Sequence, residues 1–170
     1  MIVTNSIPLI GLAKINKLYL LKELFKEVVI PEEVRIEAID RGIENNSPDA
    51  YVIRKALEDG WIIVQDVKIL SGLTDFGIDL GESATLSLAR NRGEKEVLID
   101  VRHARLPAKA LGLKPLGTIY VLLAALKRGI ISYEEYVASL EGLIKSGFRL
   151  SEEVYIEAVR LGLIIKEEKE

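Results

Sequence analysis

Short apolar runs alternate with helical patterns from the first residue of this chain to about residue 128, and no other feature constrains its fold as tightly. The runs at Met1–Thr4, Glu27–Ile30, Trp61–Val67, Val97–Ile99 and Lys114–Leu116 read as strands. Val97-Leu-Ile99 is apolar at every position, as expected of a strand covered on both faces. Strands that alternate with helices pair in parallel through right-handed crossovers. The alternation therefore predicts an α/β fold: a parallel sheet of four or five strands with helices on both faces.

The intervening segments carry helix signals. Pro8 suits a first turn, and Leu20, Leu21 and Leu24 follow helical spacing. Pro31-Glu32-Glu33 opens a helix with acids at its positive end. A polar loop over 42–48 precedes a helix over 49–58 that stops at Gly60. A loop over 71–81 with three glycines leads into a helix over 82–89. Residues 102–111 are expected to form one basic helix ending at Gly112, and 119–126 the most apolar helix. Ser132 with Glu135 forms a capping box for the first of two tail helices, and Ser151 ahead of Glu152 and Glu153 opens the second. Residues 1–170 thus read as a single domain, with a core to about residue 130 and a helical tail over about 131–165.

At this length folding buries roughly 70% of the unfolded surface, so the core needs no staple. There is no cysteine, and the single histidine, His103, excludes a multi-histidine zinc site. A metal on such a chain must be held mainly by oxygen, which points to Mg²⁺ or Mn²⁺. No apolar run approaches the roughly 18 residues that span a bilayer. Met1-Ile2-Val3-Thr4 has no basic lead and no cleavage site, so a cytoplasmic location without membrane partners is expected. Net charge is −3, but it is unevenly spread. Residues 101–133 hold no Asp or Glu and carry Arg102, Arg105, Lys109, Lys114, Lys127 and Arg128. Such asymmetry fits either a surface facing a polyanion or plain solvated helix faces.

Ligands of open α/β sheets bind beyond the carboxyl ends of the strands. The polar residues expected there are Asn5 and Ser6 after the first strand, Asp100 after the fourth, Glu82 at the start of the preceding helix, and Thr118 after the last strand. Glu82 shares a stripe with Thr85, Leu86 and Ala89, so a carboxylate heads a core-facing row and needs a partner. The plain alternative is an acid favoured by the helix dipole. Asp100 is either half of a cation site or an N-cap, and Asn5, Ser6 and Thr118 also suit caps. Glu37 lies one turn into the helix after the second strand, and periodicity does not separate it from Glu32 or Glu33. His103 stands among arginines and reads as a surface residue. Neither a G-x-S-x-G elbow nor a Gly-rich phosphate loop occurs.

Residues 2–15, Ile-Val-Thr-Asn-Ser-Ile-Pro-Leu-Ile-Gly-Leu-Ala-Lys-Ile, resemble the opening motif of PIN domains, and more closely that of a prokaryotic PIN-like subgroup. Further segments agree in order: Val29 to Val34 with Glu37, Leu80 to Ala84, Val97 to Arg105, Leu111 to Thr118, and Gly147 to Glu153. The resemblance covers nearly the whole chain. It implies a three-layer α/β/α fold with strand order 3-2-1-4-5 and additional C-terminal helices. It also implies a Mg²⁺- or Mn²⁺-dependent ribonuclease, the VapC toxins of toxin–antitoxin pairs being examples. Carried over by residue, the family's acids fall on Asn5 with Ser6 beside it, on Glu37, on Glu82 and on Asp100, and its small hydroxyl on Thr118. Two positions depart from the pattern. The first acid is an amide, and the residue after Asp100, commonly acidic in the subgroup, is Val101.

The expectation is therefore a metal-dependent endoribonuclease with Glu37, Glu82 and Asp100 as catalytic acids. Glu82 and Asp100 would hold the ion with Glu37 and Asn5 in support, and Ser6 and Thr118 would assist. Arg102, Arg105 and Lys109 would hold single-stranded RNA. The resemblance allows an antitoxin partner and a homodimer formed through the apolar tail helices. Asn5 and Val101 keep a second reading open: a catalytically weakened module that binds RNA or a partner protein without cutting.

Overall fold

A computed structural model describes residues 1–170. The strands are β1 (Ile2–Val3), β2 (Val28–Ile30), β3 (Ile62–Val64), β4 (Glu96–Leu98) and β5 (Lys114–Leu116). All pairings are parallel. β1 pairs β2 and β2 pairs β3, while β4 pairs β5. A single parallel bridge, Thr4 to Leu98, joins the two groups, so the spatial order is 3-2-1-4-5. The expected order holds. Its central seam is short because β1 contributes two residues before the chain turns into α1 (Ser6–Lys14).

Alternate strand residues feed two cores, as the pleat requires. Ile2, Val28, Ile30, Ile62, Leu98 and Leu116 face the larger apolar cluster, together with α1, α2 (Tyr19–Phe25), α5 (Pro48–Glu58), α8 (Thr118–Lys127) and α9 (Tyr133–Lys145). Val3, Val29, Val97 and Ile99 face the smaller cluster with α6 (Leu80–Asn91) and α7 (Arg105–Ala110). The strand that periodicity extends over 61–67 is confined to Ile62–Val64, because β3 is an edge with one partner.

The helix after β2 is not uniform. α3 (Glu32–Arg35) runs into a π turn over Ile36–Asp40 and then into α4 (Arg41–Glu44). Such single π turns are frequent at functional sites, and this one carries Glu37. The expected basic helix over 102–111 is also divided. A 3₁₀ turn, Arg102–Ala104, precedes α7, so residues 102 and 105 do not share one regular α-helical stripe with 109. Pro107 is tolerated because it falls in the first turn of α7.

The tail packs into the larger core. Tyr136 is fully buried, and its hydroxyl donates to the Ala158 carbonyl of α10 (Glu152–Lys169) at 2.6 Å. Gly162 makes room for the same ring: a Cβ there would lie 2.8 Å from Tyr136 Cδ1. Lys169 closes the arrangement by donating to the last-turn carbonyl of Leu126 at 2.8 Å. No helix is long and apolar enough to cross a membrane.

Candidate active site

The residues expected to act together stand at the carboxyl end of the sheet, on different elements. Asn5 follows β1 at the N-cap position of α1, with extended backbone. Its side chain makes no capping bond, so the simple cap is not its role. Asn5 is 3% exposed, and its Oδ1 is one of three buried side-chain polar atoms without a hydrogen-bond partner. A buried acceptor left without a donor costs on the order of 1–3 kcal/mol, so its retention calls for an explanation. The Asn5 amide donates to the Leu98 carbonyl at 3.1 Å, which ties β1 to β4 just before Asp100.

Ser6 donates to Glu37 Oε2 at 2.8 Å. Glu37 therefore differs from Glu32, which is held by Arg35. The Glu37 carboxylate rests against Gly81, where a Cβ would lie 3.0 Å from its Cδ. Burial raises the Glu37 pKa above the ordinary carboxylate value, and the bond from Ser6 lowers it in part. Asp79 and Glu82 raise it further by repulsion, against a smaller opposing pull from Arg41.

Glu82 is 6% exposed and serves as the third residue of α6. Asp79 caps that helix: its Oδ1 accepts from the Glu82 amide at 2.8 Å, and Glu82 Oε2 accepts from the Asp79 amide at 2.9 Å. This reciprocal box supplies the partner that a buried carboxylate needs. Its sequence signal is Asp79-x-x-Glu82, which a helix start placed at residue 81 conceals. Every residue from Gly81 to Ala89 is buried, so α6 has no solvent face against which a core stripe could be defined. His103, read as a surface residue, is half-exposed yet places Nε2 3.3 Å from Glu82 Oε2.

Asp100 does not cap the turn that follows it. Its Oδ1 accepts from the Thr118 amide at 2.9 Å and its Oδ2 from the Thr118 hydroxyl at 2.6 Å. It thus takes the place of a cap for α8, whose own N-cap residue is Gly117. A Cβ at Gly117 would lie 2.7 Å from Asp100 Oδ1, which accounts for the glycine. Burial pushes the Asp100 pKa up, while the two bonds from Thr118 and the nearby Arg105 charge pull it down. Arg105 is therefore engaged electrostatically with Asp100 as well as exposed to solvent.

Glu82 and Asp100 line a common cleft of about 670 Å³, with Arg102 and His103 on the same wall. Lys14, Phe148 and Arg149 also line it. No local pattern marks these three, because they come from α1 and from the turn after α9. No group of three or more Asp, Glu or His side chains is arranged to hold a metal ion. The oxygen donors at this end of the sheet are the two carboxylates that line one cleft, Glu82 and Asp100, with the unpartnered Asn5 Oδ1 after the neighbouring strand β1. That set suits a single Mg²⁺ or Mn²⁺, which needs only one or two carboxylates with water completing the shell.

A family model described as a PIN domain matches residues 1–162. No curated protein and no solved structure matches the chain.

Proposed function

The chain belongs to the PIN domain family, and from that premise we propose that it is a metal-dependent endoribonuclease acting on single-stranded RNA. The observation that carries the reading is the buried Asn5 Oδ1 without a donor, at the sheet end where Glu37, Glu82 and Asp100 also stand. A cation bound at that end would satisfy this acceptor. Glu82 and Asp100 would hold the ion, with Asn5 and Glu37 in support. A bound Mg²⁺ or Mn²⁺ would supply Lewis-acid polarisation of a phosphodiester and a nucleophile at neutral pH.

The protein's own groups prepare that chemistry. Thr118 holds both oxygens of Asp100 and so fixes the carboxylate's orientation. The box with Asp79 does the same for Glu82. Ser6 restrains Glu37. Arg102 lines the cleft, and Arg105 and Lys109 follow it on exposed positions, so the three would hold the phosphate backbone beside the acids. The test is cleavage of a fluorophore–quencher RNA in Mn²⁺ or Mg²⁺, against EDTA and against Glu82→Gln. Cleavage that persists in EDTA or in the variant would refute the assignment.

A specific observation favours a second reading. The absence of a three-acid group, with Asn5 where the family's first acid falls and Val101 where the subgroup is commonly acidic, fits a module that binds RNA or a partner protein without cutting. Retained RNA affinity with no cleavage in either metal would select it. In a biological role the nuclease would be the toxin of a toxin–antitoxin pair, checked by growth arrest on expression that Glu82→Gln abolishes. A homodimer through Val154, Ile156 and Leu163, exposed on α10, is checked by sedimentation equilibrium.

A further inference from the structure

The cleft beside Glu82 and Asp100 is completed by a segment to which the nuclease reading gives no role: the turn Ser146–Arg149 between α9 and α10. Its geometry is fixed. Gly147 adopts φ +94°, its amide donates to the Ile144 carbonyl, and the Phe148 amide donates to the Leu143 carbonyl. These two bonds make the Schellman arrangement that ends a helix and sends the next residue back along it. Phe148 is thereby turned onto α1, where its Cδ2–Cε2 edge lies against Gly11, and a Cβ there would be 3.1 Å from the ring. The half-buried ring faces the cleft beside Ile7 and Ile10.

Three cations border this apolar floor: Lys14 from α1, Arg102 beside the acids, and Arg149 from the turn. None of the three takes part in an ion pair or donates a side-chain hydrogen bond within the protein, although Glu82 and Asp100 line the same cleft. An aromatic and aliphatic floor ringed by free cations is the combination that binds a single nucleic-acid strand, the base against the ring and the phosphates on the cations. The volume, about 670 Å³, lies in the range that encloses a small ligand. That size would take one splayed nucleotide.

We propose that Phe148, Lys14 and Arg149 form a subsite for the nucleotide adjoining the reacting phosphate of a single-stranded oligonucleotide. The base lies on Phe148, Ile7 and Ile10. Lys14 and Arg149 hold the outer phosphate, and Arg102 leads the chain toward Glu82 and Asp100. The subsite rests on the nuclease reading for its position but not for its binding chemistry. The C-terminal helices then have a function beyond packing: they set the far wall of the substrate channel.

The test is fluorescence anisotropy in EDTA, so that binding is measured apart from cleavage. The probes are fluorescein-labelled single-stranded RNA, single-stranded DNA of the same sequence and duplex RNA, each over a salt series. Variants are Lys14→Gln with Arg149→Gln, and Phe148→Leu, which keeps an apolar side chain against Gly11 but removes the stacking ring. Circular dichroism verifies that each is folded. The double variant is expected to flatten the salt slope by about 0.7, for the one phosphate charge no longer neutralised. Phe148→Leu is expected to weaken binding roughly tenfold with an unchanged slope. A preference of the wild type for RNA or for DNA identifies which strand the subsite serves. Wild-type affinity and slope in both variants would overturn the subsite, as would equal binding of duplex. If the wild type cleaves RNA in Mn²⁺ in that case, the nuclease reading stands without the subsite. If the variants lose binding while the wild type cuts nothing in either metal, the subsite stands and the cleavage reading falls.

Discussion

Thr118 engages both oxygens of Asp100, its amide donating to Oδ1 at 2.9 Å and its hydroxyl to Oδ2 at 2.6 Å. One residue therefore orients the carboxylate at the end of β4 and begins α8. Thr118→Val keeps the amide bond and the side-chain shape but removes the hydroxyl. The expected loss is about 1.5–3 kcal/mol, the range for a hydrogen bond to a charged group. Urea unfolding without metal measures it. A loss below about 0.5 kcal/mol would mean that the hydroxyl does not hold Asp100 in solution.

Glu82→Gln separates site from scaffold. Glutamine serves in a capping box as glutamate does, so the bond from the Asp79 amide survives. The thermal midpoint in EDTA is expected to be unchanged or higher, while the heat of Mn²⁺ titration disappears. Glu82→Ala, by contrast, removes half of the box and is expected to cost about 1 kcal/mol. A strong destabilisation by Gln with intact Mn²⁺ heat would make Glu82 a structural acid only.

Gly81→Ala addresses Glu37 without changing it. The new Cβ would occupy the space of the Glu37 carboxylate, a flexible end that can move away. The fold is therefore expected to persist, with alanine's helix propensity offsetting part of the strain. The Ser6–Glu37 bond is expected to break, and cleavage to fall at least as far as in Glu37→Gln. Wild-type cleavage in Gly81→Ala would show that the position of Glu37 is immaterial.

Glu37 also sets a pH dependence. Its pKa is raised in the folded state, so the native protein holds this proton more tightly than the unfolded chain does. Stability from this group is therefore lost as pH rises from the unfolded value through the raised folded value. In EDTA, Glu37→Gln is expected to raise the midpoint at pH 7 and to leave it unchanged near the unfolded carboxylate pKa of about 4.3, since Gln carries no charge to be buried and none for Asp79 and Glu82 to repel. A pH-independent difference would assign the effect to packing.

The sequence by itself determined the class of the fold, and its resemblance to PIN domains implied the strand order. Alternating strands and helices leave a parallel sheet as the economical solution, and the apolar runs at Val28–Ile30 and Val97–Ile99 are long enough to place its strands. It also marked the positions of Asn5, Glu37, Glu82 and Asp100, through resemblance for Glu37 and through placement at strand and helix ends for the others. Tertiary structure alone decided their partners. Asp100 caps α8, which begins 18 residues later in the chain, and no local rule connects a strand end to that helix. The π turn that carries Glu37 is decided by backbone hydrogen bonds, and the residues Ile36–Asp40 include no Gly or Pro that would announce it. Likewise, Lys14, Arg102 and Arg149 meet around one cleft only because the tail folds back across α1. Spacing along the chain records the elements that local hydrogen bonds and apolar faces create. Which charges end up facing one another is settled by packing between elements distant in sequence, and there the burial of the whole core fixes the geometry.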